Sequence, residues 1–423
     1  MTECDAFELP LTVAHRHSVV LYNDSIEAFL AADPAVERRL DTLLIDDPDC
    51  ALARIARARF LQSVGRGAEA RAEAQQAQAL ATGLTDRERG HVDALASAVR
   101  GEGRTTLARI TAHLERFPAD LFVLAPVAGV FGLFGFSGEA GREERLFQYL
   151  EERRSTHEDH WWFKASLAFA LCETGRLDQA SALIEEAWSL HPESANTAHI
   201  RAHIDYERAD DARTLNWLEP WFESYDRSGA MHCHLGWHLA LARLRLGAFD
   251  SAEEAYQRWV RAIDPETGQG AWGPPLNRVT DASSWLFRAQ LRGLPVSSQT
   301  WQRVLSDART AFPAPGVRFA DVHLALCLAM AGDLDALEQW LAAIDGPVSP
   351  VIHRAASGFK AIAQSRWDQA ASALLQTLDS HEVLGGSRAQ RDLLVEAWSF
   401  ADSGGQALMG RVPRTPSDAA ALP

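Results

Sequence analysis

At 423 residues the chain is longer than one compact domain usually runs, so several domains or a repeat array are expected. Hydrophobic residues make up 47% and charged residues 23%, the balance of a globular protein with ample material for a core. The formal net charge is −16, and Lys164 and Lys360 are the only lysines among arginines interspersed with acids, so the composition argues against a nucleic-acid partner.

The acidic start, Met1-Thr-Glu-Cys-Asp, lacks a basic segment followed by an apolar run, and no stretch approaches 18 uninterrupted apolar residues. Neither a signal peptide nor a membrane span is expected, and the default location is cytoplasmic. Cys4, Cys50, Cys172, Cys233 and Cys327 are widely spaced, odd in number and without a CxxC pair, which indicates neither a disulfide framework nor a zinc ribbon.

Beyond residues 1–48, which read as an N-terminal cap region, a short pattern recurs along the chain. A weak copy, Gly65-Arg-Gly-Ala-Glu-Ala70, is followed by Gly175-Arg-Leu-Asp-Gln-Ala180, Gly247-Ala-Phe-Asp-Ser-Ala252, Gly332-Asp-Leu-Asp-Ala-Leu337 and Ser365-Arg-Trp-Asp-Gln-Ala370. Each reads as the turn of a helical hairpin. The glycine closes one helix in a left-handed C-cap, and the aspartate three residues on is expected to cap the next. Seven residues before four of the turns stands a small residue, Ala168, Ala240, Ala325 or Gly358. Small positions on both helices of a hairpin permit the close packing a solenoid needs.

Positions 332 and 365 lie 33 residues apart, and 175 and 247 lie 72 apart, near twice a 34–36-residue unit. Second helices end at prolines in Leu190-His191-Pro192 and Ile263-Asp264-Pro265. No run of alternating β-branched residues appears. The expected fold is all-α, a tetratricopeptide-type helical-hairpin solenoid wound as a right-handed superhelix over residues 1–405, with a flexible tail at 406–423. A Gly/Pro-rich loop at 266–280 and the segment Phe312-Pro-Ala-Pro-Gly316 interrupt it.

Two i, i+4 histidine pairs stand in adjacent units: His199 with His203, and His234 with His238. Residues four apart on a helix share a face, so each pair can converge on one ligand. Three readings compete: ordinary buried histidines, a metal site of helical imidazoles, and metal-free acid–base chemistry or binding of a small polar ligand. Neither pair contains the glutamate of HExxH.

At this point the motifs resemble those of the tetratricopeptide repeat protein 38 family and its bacterial relatives. The segments that carry the resemblance are Arg87-Glu-Arg-Gly-His91-Val, Phe117-Pro-Ala-Asp120-Leu, Thr197-Ala-His-Ile-Arg-Ala-His203, His234-Leu-Gly-Trp-His238, Asp281-Ala-Ser-Ser-Trp285-Leu, Phe319-Ala-Asp321-Val-His323 and Gly385-Gly-Ser-Arg-Ala-Gln390-Arg391-Asp392. Their order and spacing agree from about residue 45 to 405. The chain departs where the family shows asparagine and tryptophan: Leu235 and Gly236 stand there, and a small residue at 236 is expected to open space in the groove. The resemblance implies a shared polar site and no particular reaction.

The remaining motif residues complete an expected site. Asp281 reads as a helix N-cap or as a carboxylate orienting a histidine. His323 is expected to project toward the groove of His238, with Asp321 as a cap. Gly385-Gly386-Ser387 resembles a phosphate-cradling turn without the Walker lysine, and Gln390 and Arg391 follow it, Arg391 to bind an anion. Trp237 and Trp285 are expected to wall the pocket, within a wider group that includes Trp161, Trp162 and Trp272. His157, His160 and Glu173 are lesser candidates.

The resulting expectation is a small-molecule site, enzymatic in character, acting on a small polar or anionic substrate. His199, His203, His234, His238, Asp281 and His323 would do the acid–base work of a cofactor-independent hydrolase, lyase or isomerase. Trp237, Trp285, Gln390 and Arg391 would bind substrate. No metal and no cofactor is required, although the histidine pairs could take a divalent ion. The rival reading is a non-enzymatic protein–protein scaffold, with a protein partner or a homodimer and no lysine-rich peptide clamp. No nucleic acid and no membrane is expected to be bound.

Overall fold

A computed structural model of the chain describes residues 1–263 and 268–409. The regular secondary structure of the described residues is helical, apart from two three-residue strands. The proline stop at Ile263-Asp264-Pro265, the start of the 266–280 loop and the tail from residue 410 lie outside the described residues in whole or part. No helix among the described residues is long and apolar enough to cross a membrane.

The exception to the all-α reading is an antiparallel pair, Thr2–Cys4 with Pro10–Thr12, in register at Glu3 and Leu11. Three residues per strand are too few to show an alternation in sequence. The remaining elements are antiparallel helical hairpins of the tetratricopeptide type.

The turns show why. Gly65, Gly175, Gly247 and Gly332 have φ of 86°, 78°, 75° and 78°, left-handed values that a Cβ would penalise. After each, the next N–H closes back on the first helix: Arg66 to Leu61 O at 2.8 Å, Arg176 to Leu171 O at 2.9 Å, Ala248 to Arg243 O and Asp333 to Leu328 O at 3.0 Å. Ser365 makes the same turn at φ 55°, with Arg366 N–H on Ala361 O at 2.9 Å. Ala209, at φ 57°, makes a turn that no glycine marks, and Asp210 N–H closes on Asp205 O at 2.9 Å. Ala209 lies 34 residues after Gly175 and 38 before Gly247, which resolves the 72-residue interval into two units.

The aspartates of the pattern are not the caps. The following helices begin at Leu177, Phe249, Leu334 and Trp367, so Asp178, Asp250, Asp335 and Asp368 sit inside the first turn. There they favour the positive helix end without capping it. Asp333 does cap, accepting from Ala336 N–H. The small positions fulfil their packing role: Ala168, Ala240 and Ala325 are wholly buried, and a Cβ on Gly358 would stand 2.5 Å from Leu374 Cγ.

The contacts gather into two compact units. The first comprises Met1–Ser137, Glu143–Arg201 and Tyr225–Met231; the second comprises Gly138–Arg142, Ala202–Ser224 and the chain from His232 onward. The core of the second unit is built on Trp237, Tyr256, Phe287, Trp301 and Phe359. Within it the Pro275–Leu291 helix packs against four other α-helices, His232–Arg245, Ser298–Ala311, Arg318–Ala331 and Arg388–Asp402. That central helix carries the polar residues of the site.

A buried imidazole cluster as the candidate functional site

Three imidazoles meet inside the second unit. His234 and His238 stand one turn apart on the His232–Arg245 helix, with ring centroids 5.0 Å apart and planes at 77°. His203 approaches His238 edge-on at 4.6 Å and lies 6.2 Å from His234. One ring nitrogen from each lies within 4.8 Å of the others, and all three side chains are buried. Burial makes His203 a much weaker base than usual, and the neighbouring His234 weakens it further, so it is neutral at pH 7.

Asp281 organises the group. It sits in the second turn of the Pro275–Leu291 helix and is therefore not an N-cap. His234 Nδ1 donates to its Oδ2 at 2.8 Å, which leaves the lone pair of that imidazole on Nε2. Asp281 Oδ1 is buried and has no hydrogen-bond partner. Burial pushes this carboxyl above the usual carboxylate range, opposed by His234 and, more weakly, by Arg288.

Trp237 stacks on His234 at 5.3 Å with planes only 7° apart. Its Nε1–H donates to Ser284 Oγ at 3.2 Å, and Arg288 donates to the same oxygen at 2.9 Å. Arg288 Nε in turn lies 3.2 Å from Glu396, which also takes Arg292 at 2.5 Å. Burial alone would raise Glu396, but the two guanidiniums outweigh it and hold it below the usual value. This chain of buried partners fixes the indole against the imidazole. Ser284, Arg288 and Glu396 escape the sequence reading; the one available signal is that 281, 284 and 288 share a helix face.

The other expected residues are placed as follows. His199 stands one turn before His203 on the Ala195–Glu207 helix, in the first unit, edge-on to Phe169 at 5.7 Å. His323 is buried, and its Nδ1–H donates to the carbonyl of Phe319, one turn back on its own helix, at 2.8 Å. Burial brings it down to about 4. Asp321 lies in the first turn of that helix and accepts Gly316 N–H at 3.2 Å. Trp285 stacks on Tyr256 at 4.5 Å instead of on an imidazole.

Gln390 and Ser387 form a reciprocal capping box at the start of the Arg388–Asp402 helix. Arg391 and Arg142 both donate to Gly386 O, and a Cβ on Gly386 would meet the Phe319 ring at 2.5 Å. The Gly385-Gly386-Ser387 turn is thus packed from within the protein. The expectation of extra space at Gly236 is corrected too, because a Cβ there would stand 2.5 Å from Trp259 Cβ: the glycine admits Trp259.

In the first unit, His160 lies 3.1 Å from Glu27, which also accepts Trp161 Nε1–H at 2.8 Å. His157 packs on Phe163 at 5.2 Å, and Trp162 and Glu173 are buried, whereas Trp272 of the second unit is exposed.

The first unit also holds a cluster that the motifs contained without revealing. Asp120 accepts from Arg87 Nε at 2.8 Å, His113 Nε2 at 2.8 Å and His91 Nδ1 at 3.0 Å. Arg87 reaches on to Asp5 at 2.8 Å and to Pro10 O at 3.0 Å, clasping the N-terminal strand pair. Burial would raise Asp120, but His91, Arg87 and the imidazole hydrogen bonds hold it well below the usual range. Burial outweighs Asp120 and lowers His91. His113 is absent from the sequence reading, although it stands four residues before the Phe117-Pro-Ala-Asp120 motif.

No family model matches the chain. Among solved structures it is similar to the human IFIT1 dimer with PPP-AAAA, at 13% identity and a TM-score of 0.45 over 92% of this chain and 85% of that one. It is likewise similar to an IFIT1 monomeric mutant with Gppp-AAAA, at 13% identity and a TM-score of 0.45 over 93% of this chain and 88% of that one. The likeness concerns the helical fold alone. Both of those structures include an oligonucleotide, against the expectation of no nucleic acid drawn here from a charge of −16. A sum over a whole chain does not set the potential within one groove.

Proposed function

We propose that the second unit binds a small polar or anionic molecule at its imidazole cluster and acts on it by acid–base chemistry of the hydrolase, lyase or isomerase type. The observation that carries the reading is the His234–Asp281 pair at 2.8 Å. A carboxylate on Nδ1 holds the ring in one tautomer, keeps Nε2 as proton acceptor and stabilises the imidazolium formed when it accepts. Stacking of Trp237 on His234 restricts the ring's rotation. His203 and His238 supply neighbouring nitrogens to a polar substrate. The motif resemblance to the tetratricopeptide repeat protein 38 family supports a polar site, because His203, His234, His238 and Asp281 all fall within its matching segments.

The test is conversion of a small-metabolite extract by the purified chain, followed by mass spectrometry. Wild type should deplete specific polar compounds. His234→Gln should slow their loss by about 100-fold or more, the contribution expected of a general base. Asp281→Asn should slow it while leaving the circular dichroism spectrum unchanged. Depletion by both variants at the wild-type rate, or none by wild type, would sink the proposal.

A further inference from the structure

We infer that His203, His234 and His238 of the second unit supply three ligands to one divalent transition-metal ion of the zinc class. This rests on the small-molecule reading above and changes one role in it: with the ion bound, His234 Nε2 is a ligand, and the ion replaces it as the group that activates the substrate. Three imidazoles are a familiar protein ligand set for such an ion, and imidazole suits first-row metals of this class.

Geometry is the first argument. Around a tetrahedral zinc with bonds of about 2.0–2.1 Å, donor nitrogens stand roughly 3.3 Å apart. Here the nitrogens already lie within 4.8 Å of one another, so small side-chain rotations close the set. The pair at 234 and 238 comes from one helix and His203 from another, which fixes three directions of approach.

The outer contacts are the second argument. A metal-ligating histidine usually gives its other N–H to a carboxylate, and His234 gives Nδ1–H to Asp281 at 2.8 Å, presenting Nε2. Asp281 also brings negative charge beside the site, and its Oδ1 is buried without a partner.

The His91, His113 and Asp120 group of the first unit has donors equally close together but fails this test. Arg87 already stands 2.8 Å from its only carboxylate, so a second cation there would meet a guanidinium. That group is an ion-pair clasp.

The experiment uses the full-length chain without a histidine tag, purified from zinc-supplemented medium and freed of loose metal by gel filtration. Elemental analysis should find about one zinc per chain. Cobalt(II) added to chelator-stripped protein should give visible ligand-field bands. The double variant His203→Ala/His238→Ala should lose both signals while keeping the helical circular dichroism of wild type. Asp281→Asn should weaken zinc by about 10- to 100-fold in competition with a chelator, and His91→Ala should leave metal content unchanged.

Wild type without stoichiometric zinc and without cobalt bands overturns the metal, as does a folded double variant that retains it. If the metal fails while His234→Gln still abolishes substrate conversion, the acid–base reading stands alone. If one zinc binds and conversion is unaffected by His234→Gln, the metal site stands and the acid–base reading falls.

Discussion

Replacing His323 by asparagine removes one titrating group from the second unit while keeping its hydrogen bond, since an Asn side-chain N–H can also reach Phe319 O. Burial holds His323 at about 4, against 6.5 for a free imidazole. The folded value is depressed, so the stability it permits is fully present above pH 6.5 and is lost as pH falls toward 4. At pH 7 the effect is near zero. At pH 5, one and a half units below the free value, the unfolded chain is protonated and the folded one is not, which costs about 2 kcal/mol at 1.36 kcal/mol per unit. Asparagine leaves a constant penalty from its smaller volume and none that varies with pH. Urea unfolding of both proteins at pH 7 and pH 5 measures the difference. Between these values wild type should lose about 2 kcal/mol more than His323→Asn. His91, His157 and His203, all lowered by burial, titrate in both proteins and cancel. Equal losses in the two proteins would show that His323 gains a proton in the folded state as easily as in water.

Three substitutions probe the scaffold. Gly358→Ala places a Cβ 2.5 Å from Leu374 Cγ and should cost about 1–3 kcal/mol by overpacking, partly recovered by a second change, Leu374→Val, in thermal unfolding. Ser365→Gly relieves an exposed residue of its φ of 55° and should raise stability by about 1 kcal/mol, visible as a higher midpoint. Arg87→Met leaves Asp5 and Asp120 buried without their cation and should cost about 3–5 kcal/mol, with faster hydrogen exchange in the Thr2–Thr12 strand pair. A cost under about 1 kcal/mol would mean that water replaces the guanidinium.

The hairpin punctuation was legible because left-handed closure favours one residue. Gly175, Gly247 and Gly332 announce their turns, and Ser365 is readable only because Trp367, Asp368 and Ala370 repeat the surrounding pattern. Ala209 makes the same closure with neither aid, so the unit between Gly175 and Gly247 was visible only as a doubled interval. The strand pair at the N-terminus escaped for a different reason. What fixes it is distant: Thr12 N–H donates to Glu88 at 2.6 Å, and Arg87 reaches Asp5.

At the site, legibility followed periodicity. His234 and His238 share a face by spacing alone, and His199 and His203 do likewise. What no spacing could say is which neighbour each imidazole meets, and that decides its chemistry. His91 and His113 lie near a carboxylate that Arg87 already neutralises, so their hydrogen bonds are spent on holding the first unit together. His234 meets a carboxylate with one oxygen unpartnered, beside two more imidazoles. Arg288, a cation on the Asp281 helix, is turned toward Glu396 and Ser284. Buried arginines such as Arg87 and Arg288 look like surface residues in a sequence, yet their placement separates a clasp from a centre with donor capacity left over. Exchanging those placements, for instance by Arg288→Met, should disturb the indole and the Asp281 balance before it disturbs the helices. The imidazole cluster should therefore lose ligand affinity at temperatures where circular dichroism is still that of the folded chain.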